Sequence, residues 1–367
     1  MPKSKKSFLK RNWKVLVNVL TVLALVGLVI AIHRQIIDTF NNLHKVNVAV
    51  LLLMIPLQAL NYHSQTRVYQ ALFKLVGNKL EYWSVVRVAL ELNFVNHVFP
   101  SGGVSGISYF GLRMKNAEIT GGKATVVQLL KLILLFVSFE ILLVVGLLIM
   151  AIDGRASNLV VLASGSLSTL LVVGTVAFVL VIGSERRIHA TFKAVTMLVN
   201  RIIHFFRPKM PETIQMARIE RVAMELHSNY KLVEENYKEL KWPFFWSFMA
   251  NLTEVLTIYA VYVAFGTWVN FGAIVLAYAV ANFAGLVSVL PGGVGIYEAL
   301  MTGVLAAAGI SPALSLPVTV MYRVLSTLIQ IPPGYILYHK SLRRMQTANL
   351  GAAAIKPDDA GAREEKS

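Results

Sequence analysis

The sequence contains no cysteine among its 367 residues. Disulfides, thiolate metal sites and cysteine nucleophiles are therefore excluded. Acidic residues are scarce: there are 19 Asp plus Glu against 35 Lys plus Arg, and only 15% of the chain is charged. No P-loop, Ser/His/Asp arrangement, paired-carboxylate motif or metal-ligand spacing is present. ATP-driven pumping and most hydrolytic chemistry lack their machinery, and neither a metal nor a cofactor is expected.

What fills the chain instead is apolar. Hydrophobic residues make up 56% of it and the mean hydropathy is +0.62, against about 45–50% apolar residues in an ordinary soluble domain. The excess must face lipid, and apolar runs of about 18 or more residues cross a bilayer as helices, because unpaired backbone groups are too costly there. The expected fold is an all-α polytopic transmembrane bundle in the plasma membrane. The net charge of +16 reports topology rather than a nucleic-acid partner.

Lys3, Lys5, Lys6, Lys10, Arg11 and Lys14 precede an apolar stretch from Val15 to Ile32, which is long and lacks a small-residue cleavage pattern before His33 and Arg34. It reads as an uncleaved first helix. Further spans are expected at about 47–62, 126–150, 159–182, 243–265, 271–290 and 314–338. The positive-inside rule places the N-terminal arm in the cytoplasm, together with Arg67, Lys74 and Lys79, then Arg113, Lys115 and Lys123, and finally Lys340, Arg343 and Arg344. Both termini then lie inside, provided that residues 83–122 enter and return and that 291–309 form a partial crossing. Residues 1–345 are expected to form one membrane domain, followed by a polar, disordered tail over 346–367.

Segment 184–242 is a basic loop with 11 Lys or Arg and 7 Asp or Glu. Ile219, Val222, Leu226, Tyr230, Val233, Tyr237 and Leu240 recur there at helical spacing. That face packs on the bundle or lies at the interface, or else recruits a partner.

Two segments share a pattern. Asn93-Phe94 leads to Pro100-Ser101-Gly102-Gly103, and Asn282-Phe283 leads to Pro291-Gly292-Gly293. Proline removes a backbone donor and glycine opens otherwise forbidden geometry, so paired breaks in two halves point to a transporter-type site at a repeat interface. Two tight helix hairpins would leave the same signature. Asn93 and Asn282 are placed to bridge backbone groups freed at the breaks.

The run Leu290-Pro291-Gly292-Gly293-Val294-Gly295-Ile296-Tyr297-Glu298-Ala299, with Tyr322-Arg323 downstream, resembles the signature of the lysylphosphatidylglycerol synthase transmembrane region. That family is also described as a flippase-like domain and includes UPF0104-like integral membrane proteins. The span layout extends the resemblance over roughly residues 10–345. It implies movement of an aminoacylated phospholipid between leaflets, with membrane phospholipid, and a separate lipid-modifying enzyme, as partners. Larger members carry a cytosolic domain that transfers lysine from lysyl-tRNA to phosphatidylglycerol. Residues 339–367 are too few for such a domain, so lysyltransferase activity is not expected of this sequence. Ser105-Gly106-Ile107-Ser108 stand where many members carry Gly-Glu and a nearby Arg, which leaves the headgroup open. A scaffold acting through 184–242 is the remaining alternative.

Ionisable groups within spans are costly and mark pairs, wet cavities or substrate contacts. Glu298 and Arg323 are expected to pair, in a structural or a transport role. Glu91, Glu140, Glu254 and Glu298 are the carboxylates able to receive a cationic headgroup. Lys131 and Glu140 are too far apart along one helix to touch. His97 is either a relay or a hydrogen-bonded structural residue.

Overall fold

The computed structural model describes residues 23–354 except 24–25, 28–29, 31–32, 36, 100–103, 116, 155–157, 207–223, 225–226, 229 and 288–292. The described residues of 23–42 are helical. The main helices that follow are α1 (Met54–Leu75), α2 (Tyr82–Val98), α3 (Val104–Lys115), α4 (Gly121–Ile152), α5 (Asn158–Ile182), α6 (Glu185–Phe206), α7 (Lys241–Ala264), α8 (Phe271–Val287), α9 (Ile296–Ala307) and α10 (Pro312–Ala354). No strand occurs among the described residues.

Among the described residues, four helical stretches are long and apolar enough to cross a membrane: Gly121–Ile152, Val160–Ile182, Tyr237–Ala264 and Pro312–Arg343. Helix α1 differs from the expected span at 47–62. It runs to Leu75 and carries Gln58, Asn61, His63, Ser64, Gln65 and Thr66 on its way. Its polar side chains face protein rather than lipid: Gln58, Asn61, Ser64 and Thr66 are all buried.

Local chemistry sets the helix ends. The side chain of Asn47 accepts hydrogen bonds from the amides of Ala49 (3.0 Å) and Val50 (3.4 Å), which starts the first turn before α1. Helix α1 stops because Gly77 adopts a left-handed φ of 82°, which lets the Asn78 amide reach back to the Phe73 carbonyl (2.8 Å). A Cβ at Gly77 would meet only Lys123 Nζ, at 4.0 Å, so Gly77→Ala tests the backbone alone. It should lower stability by about 1 kcal/mol, read as a fall in the melting temperature of purified protein.

The two halves of the chain share one plan. Helices α2 and α8 have 17 residues each, and α3 and α9 have 12 each. Each short helix packs back on its longer partner. Directions follow from cross-contacts. Gln70 meets the Leu80 carbonyl (3.0 Å) and Tyr62 meets Asn93, so α2 opposes α1. Tyr69 meets Gln128 (3.1 Å) and Gln65 meets Lys131 (3.3 Å), so α4 also opposes α1.

Asn61 meets Ala250 (2.7 Å) and Gln58 meets Thr257 (3.5 Å), which sets α7 against α1 as well. The Phe139 and Tyr278 rings lie 5.6 Å apart, and Gly146 abuts Gly272, so α8 opposes α4. Asn93 meets Gln330 (2.6 Å) and Glu91 meets Ser341 (2.5 Å), so α10 opposes α2. Helices α1, α2 and α4 therefore run in the reverse sense of α7, α10 and α8 respectively, pair by pair, as in an inverted repeat.

Helix α10 continues to Ala354, into residues whose composition suggested a tail. Of the amphipathic face expected in the basic loop, Val233 is buried, and Ile219, Val222 and Leu226 lie outside the described residues.

Candidate functional site

Between the two halves lies a cavity of about 300 Å³. Helix α1 contributes Asn61, Tyr62 and Gln65, and α2 contributes Asn93, Asn96 and His97. Opposite them stand Glu254 from α7, Tyr278 and Asn282 from α8, and Tyr297 from α9. Helix α10 closes the ring with Tyr322, Arg323, Ser326, Thr327 and Gln330. The helices themselves are apolar on average, so these polar groups are gathered inward from six separate elements.

A hydrogen-bond chain stitches the halves together beneath this surface. Tyr322 Oη donates to Glu254 Oε1, and Gln58 Nε2 lies 3.4 and 3.5 Å from the two carboxylate oxygens. Gln330 Nε2 donates to Gln58 Oε1 (2.8 Å), and Asn93 Nδ2 donates to Gln330 Oε1 (2.6 Å) and to Tyr62 Oη. Each link neutralises a polar group that would otherwise cost free energy in a low-dielectric interior. Glu254 forms no ion pair among the described residues. Among the described residues its hydrogen-bond partners, Tyr322 and Gln58, are neutral, and the cation in the same wall, Arg323, pairs with Glu298.

Glu298 sits under the cavity wall. It is 4% exposed, and its Oε1 accepts from Arg323 Nη1 and from Gln35 Nε2 (3.0 Å) while Oε2 accepts from the Gly295 amide (2.7 Å). The Arg323 guanidinium lies 4.7 Å from the centre of the Tyr297 ring. The expected pair is thus present, and its remaining hydrogen-bonding capacity is largely taken up by protein groups. Gly293, with φ of 65°, and Gly295, with φ of 86°, lead into α9 and place Glu298 in its first turn.

The structure gathers Glu254, Arg323, Asn93, Asn282 and His97 at one cavity, with Glu298 behind it. Pro100, Gly102, Gly103, Pro291 and Gly292 lie outside the described residues. The side chain of Asn93 bonds to Tyr62 and Gln330 rather than bridging backbone groups of a break. His97 Nδ1 lies 2.9 Å from the Asn93 carbonyl within its own helix.

Two candidate carboxylates stand elsewhere. Glu91 is 1% exposed and pairs with Arg113 (3.0 Å), while also accepting from Tyr109 Oη (2.9 Å) and Ser341 Oγ (2.5 Å). It clamps α3 and α10 onto α2. Glu140 is half-buried in α4, with Oε2 making no hydrogen bond among the described residues.

Sequence reasoning passed over Gln58, Tyr62, Gln65, Tyr278 and Gln330, and quoted Tyr297 and Tyr322 only as part of the family signature. A signal for some of them existed. Gln58, Asn61, Tyr62 and Gln65 recur every three or four residues, as do Tyr322, Ser326 and Gln330. Each set falls on one face of its helix, although α1 also carries His63, Ser64 and Thr66 off that face.

The profile of the family described as "Lysylphosphatidylglycerol synthase TM region" matches residues 15–334. A UPF0104 membrane protein of Methanothermobacter thermautotrophicus is 33% identical over 91 residues, which is 25% of this chain and 27% of the relative. Another match to a UPF0104 membrane protein of that organism is 28% identical over 109 residues, 30% of this chain and 32% of the relative. The chain thus aligns with only about a quarter to a third of the length of these curated relatives. With the profile spanning the helices that build the cavity, this multi-pass membrane protein belongs to the lysylphosphatidylglycerol synthase TM region family.

Proposed function

We propose that the protein moves a phospholipid with a polar, cationic headgroup, of the aminoacylated class, between the leaflets of the plasma membrane. The observation that carries this reading is Glu254, a carboxylate without a cation partner among the described residues, facing a polar cavity between two inverted half-bundles. A buried carboxylate in such a place is costly unless a cation neutralises it. An ammonium-bearing headgroup supplies that charge, and Tyr and Asn side chains around it replace water. Inverted halves allow the same site to face either leaflet in turn. The basic ends of α1, α3 and α10, at Lys74, Lys115 and Arg343, set the cytoplasmic side, in keeping with the positive-inside rule.

Glu254→Gln preserves the shape and the hydrogen bonds from Tyr322 and Gln58 while removing the charge. In proteoliposomes it should lower movement of lysyl-phosphatidylglycerol by about tenfold or more, the worth of one charge-assisted contact. Movement of phosphatidylglycerol should change little. Equal transport of the lysyl lipid by wild type and variant, at equal amounts of folded protein, would remove Glu254 from the site.

A further inference from the structure

Next to the polar cavity lies a cleft of about 450 Å³ between α1, α2, α3 and α4, and the two share Gln65, Asn93 and Asn96 as a common wall. The cleft is of a different character. Leu92, Ile107, Leu129, Leu132, Leu135 and Phe136 give it an apolar flank, beside Thr125 and Gln128. Ile107 is 58% exposed and Leu132 44% exposed, so its rim opens on the flank of the bundle, where lipid lies. One cation stands in this apolar setting. Lys131 is ten residues into α4 from Gly121, about 15 Å along the helix.

Nothing among the described residues neutralises Lys131. Its Nζ donates to Tyr69 Oη (3.1 Å) and Gln65 Oε1 (3.3 Å) and sits 4.2 Å from the Tyr69 ring centre, and none of the ion pairs includes it. A lysine at this depth is expensive, and neutral acceptors recover only part of the cost. An anion arriving from the lipid side would complete it. Gln65 binds Lys131 and also lines the cavity that holds Glu254. A cationic and an anionic receiving group are thereby set on either side of one shared wall.

We infer that the cleft is the lateral entry for the lipid, with Lys131 receiving the phosphodiester and the acyl chains leaving between Ile107 and Leu132. The inference rests on the translocation reading for its cargo, but the phosphate contact stands or falls separately. A zwitterionic or net-cationic aminoacyl lipid satisfies both sites at once: its ammonium meets Glu254 and its phosphate meets Lys131. Phosphatidylglycerol, which lacks the ammonium, retains the Lys131 contact alone.

The test is the retention of phosphatidylglycerol by purified protein in native mass spectrometry, for wild type, Lys131→Gln, Lys131→Arg and Gly174→Ala. Lys131→Gln should weaken binding about tenfold to a hundredfold, the range for losing a charge-assisted hydrogen bond. Lys131→Arg should restore most of it, and Gly174→Ala, in α5, where a Cβ meets nothing within 4 Å, should leave it unchanged. Undiminished binding in Lys131→Gln overturns the inference even if wild type moves lipid. Lys131-dependent binding in a protein that moves no lipid upholds the phosphate site and sinks the translocation reading instead. Should the lysine variants fail to fold, wild type photolabelled with phosphatidylglycerol carrying a diazirine in its acyl chain decides the matter. Labels within 104–115 and 121–152 support the cleft, and labels confined to other helices overturn it.

Discussion

Gly272→Ala should strongly destabilise the protein, by about 3 kcal/mol or more, an overpacking effect at the upper end of the usual range. A Cβ at Gly272 would lie 2.0 Å from the Gly146 carbonyl oxygen and 2.9 Å from Met150 Cγ. The obstacle is backbone in α4, which cannot turn aside as a flexible side chain would. Small residues let membrane helices approach closely enough for van der Waals contact to hold them, because lipid supplies little hydrophobic drive between helices. The contact is asymmetric: a Cβ at Gly146 would be 3.2 Å from Gly272 Cα, so Gly146→Ala should cost about 1 kcal/mol. Gly174 in α5, with nothing within 4 Å, is the control, and Gly174→Ala should be neutral or stabilising by up to about 1 kcal/mol. Thermal unfolding in detergent would rank the three, and equal melting points would contradict the close α4 to α8 contact.

The second large effect is expected at the ion pair beneath the cavity. Arg323→Met leaves Glu298 charged and 4% exposed, with only Gln35 and the Gly295 amide as donors among the described contacts. Breaking a buried pair from one side costs about 3–5 kcal/mol, whereas removing both charges costs far less. Glu298→Gln combined with Arg323→Met should therefore be more stable than Arg323→Met alone. The double-mutant cycle is measured by melting temperature. A double variant worse than either single one would show that the two groups act apart. Because Glu298 also accepts from the Gly295 amide at the start of α9, the pair orients that helix and, through Tyr297, one wall of the cavity.

Much of the bundle was legible in the sequence because lipid imposes a simple rule: a long apolar run has few alternatives to a helix. The stretches at 126–150 and 314–338 fall within long apolar helices, and those at 159–182 and 243–265 each overrun one by a single residue. Glu298 and Arg323 could be matched because each is costly alone. Helix α1 was less legible. Residues 63–67 are polar, and the burial of Ser64 and Thr66 with the Gln65 contact to Lys131 accounts for the helix continuing through them.

Glu91 shows where charge sign alone runs short. Its partner Arg113 lies 22 positions away across the α2 to α3 hairpin, a separation that no single-helix spacing suggests. Composition treats Glu91, Glu140 and Glu254 alike, and only three-dimensional placement distinguishes a clamp, a half-buried carboxylate away from the cavity and a cavity wall. The same holds for Lys131, whose neighbours Tyr69 and Gln65 come from another helix.

The most direct measurement is a leaflet-access assay on wild-type protein in proteoliposomes, comparing lysyl-phosphatidylglycerol with phosphatidylglycerol. Protein-dependent movement that prefers the lysyl lipid is the result expected from a cavity whose Glu254 forms no ion pair among the described residues. No movement of either lipid, from protein shown to be folded, would contradict the translocation account.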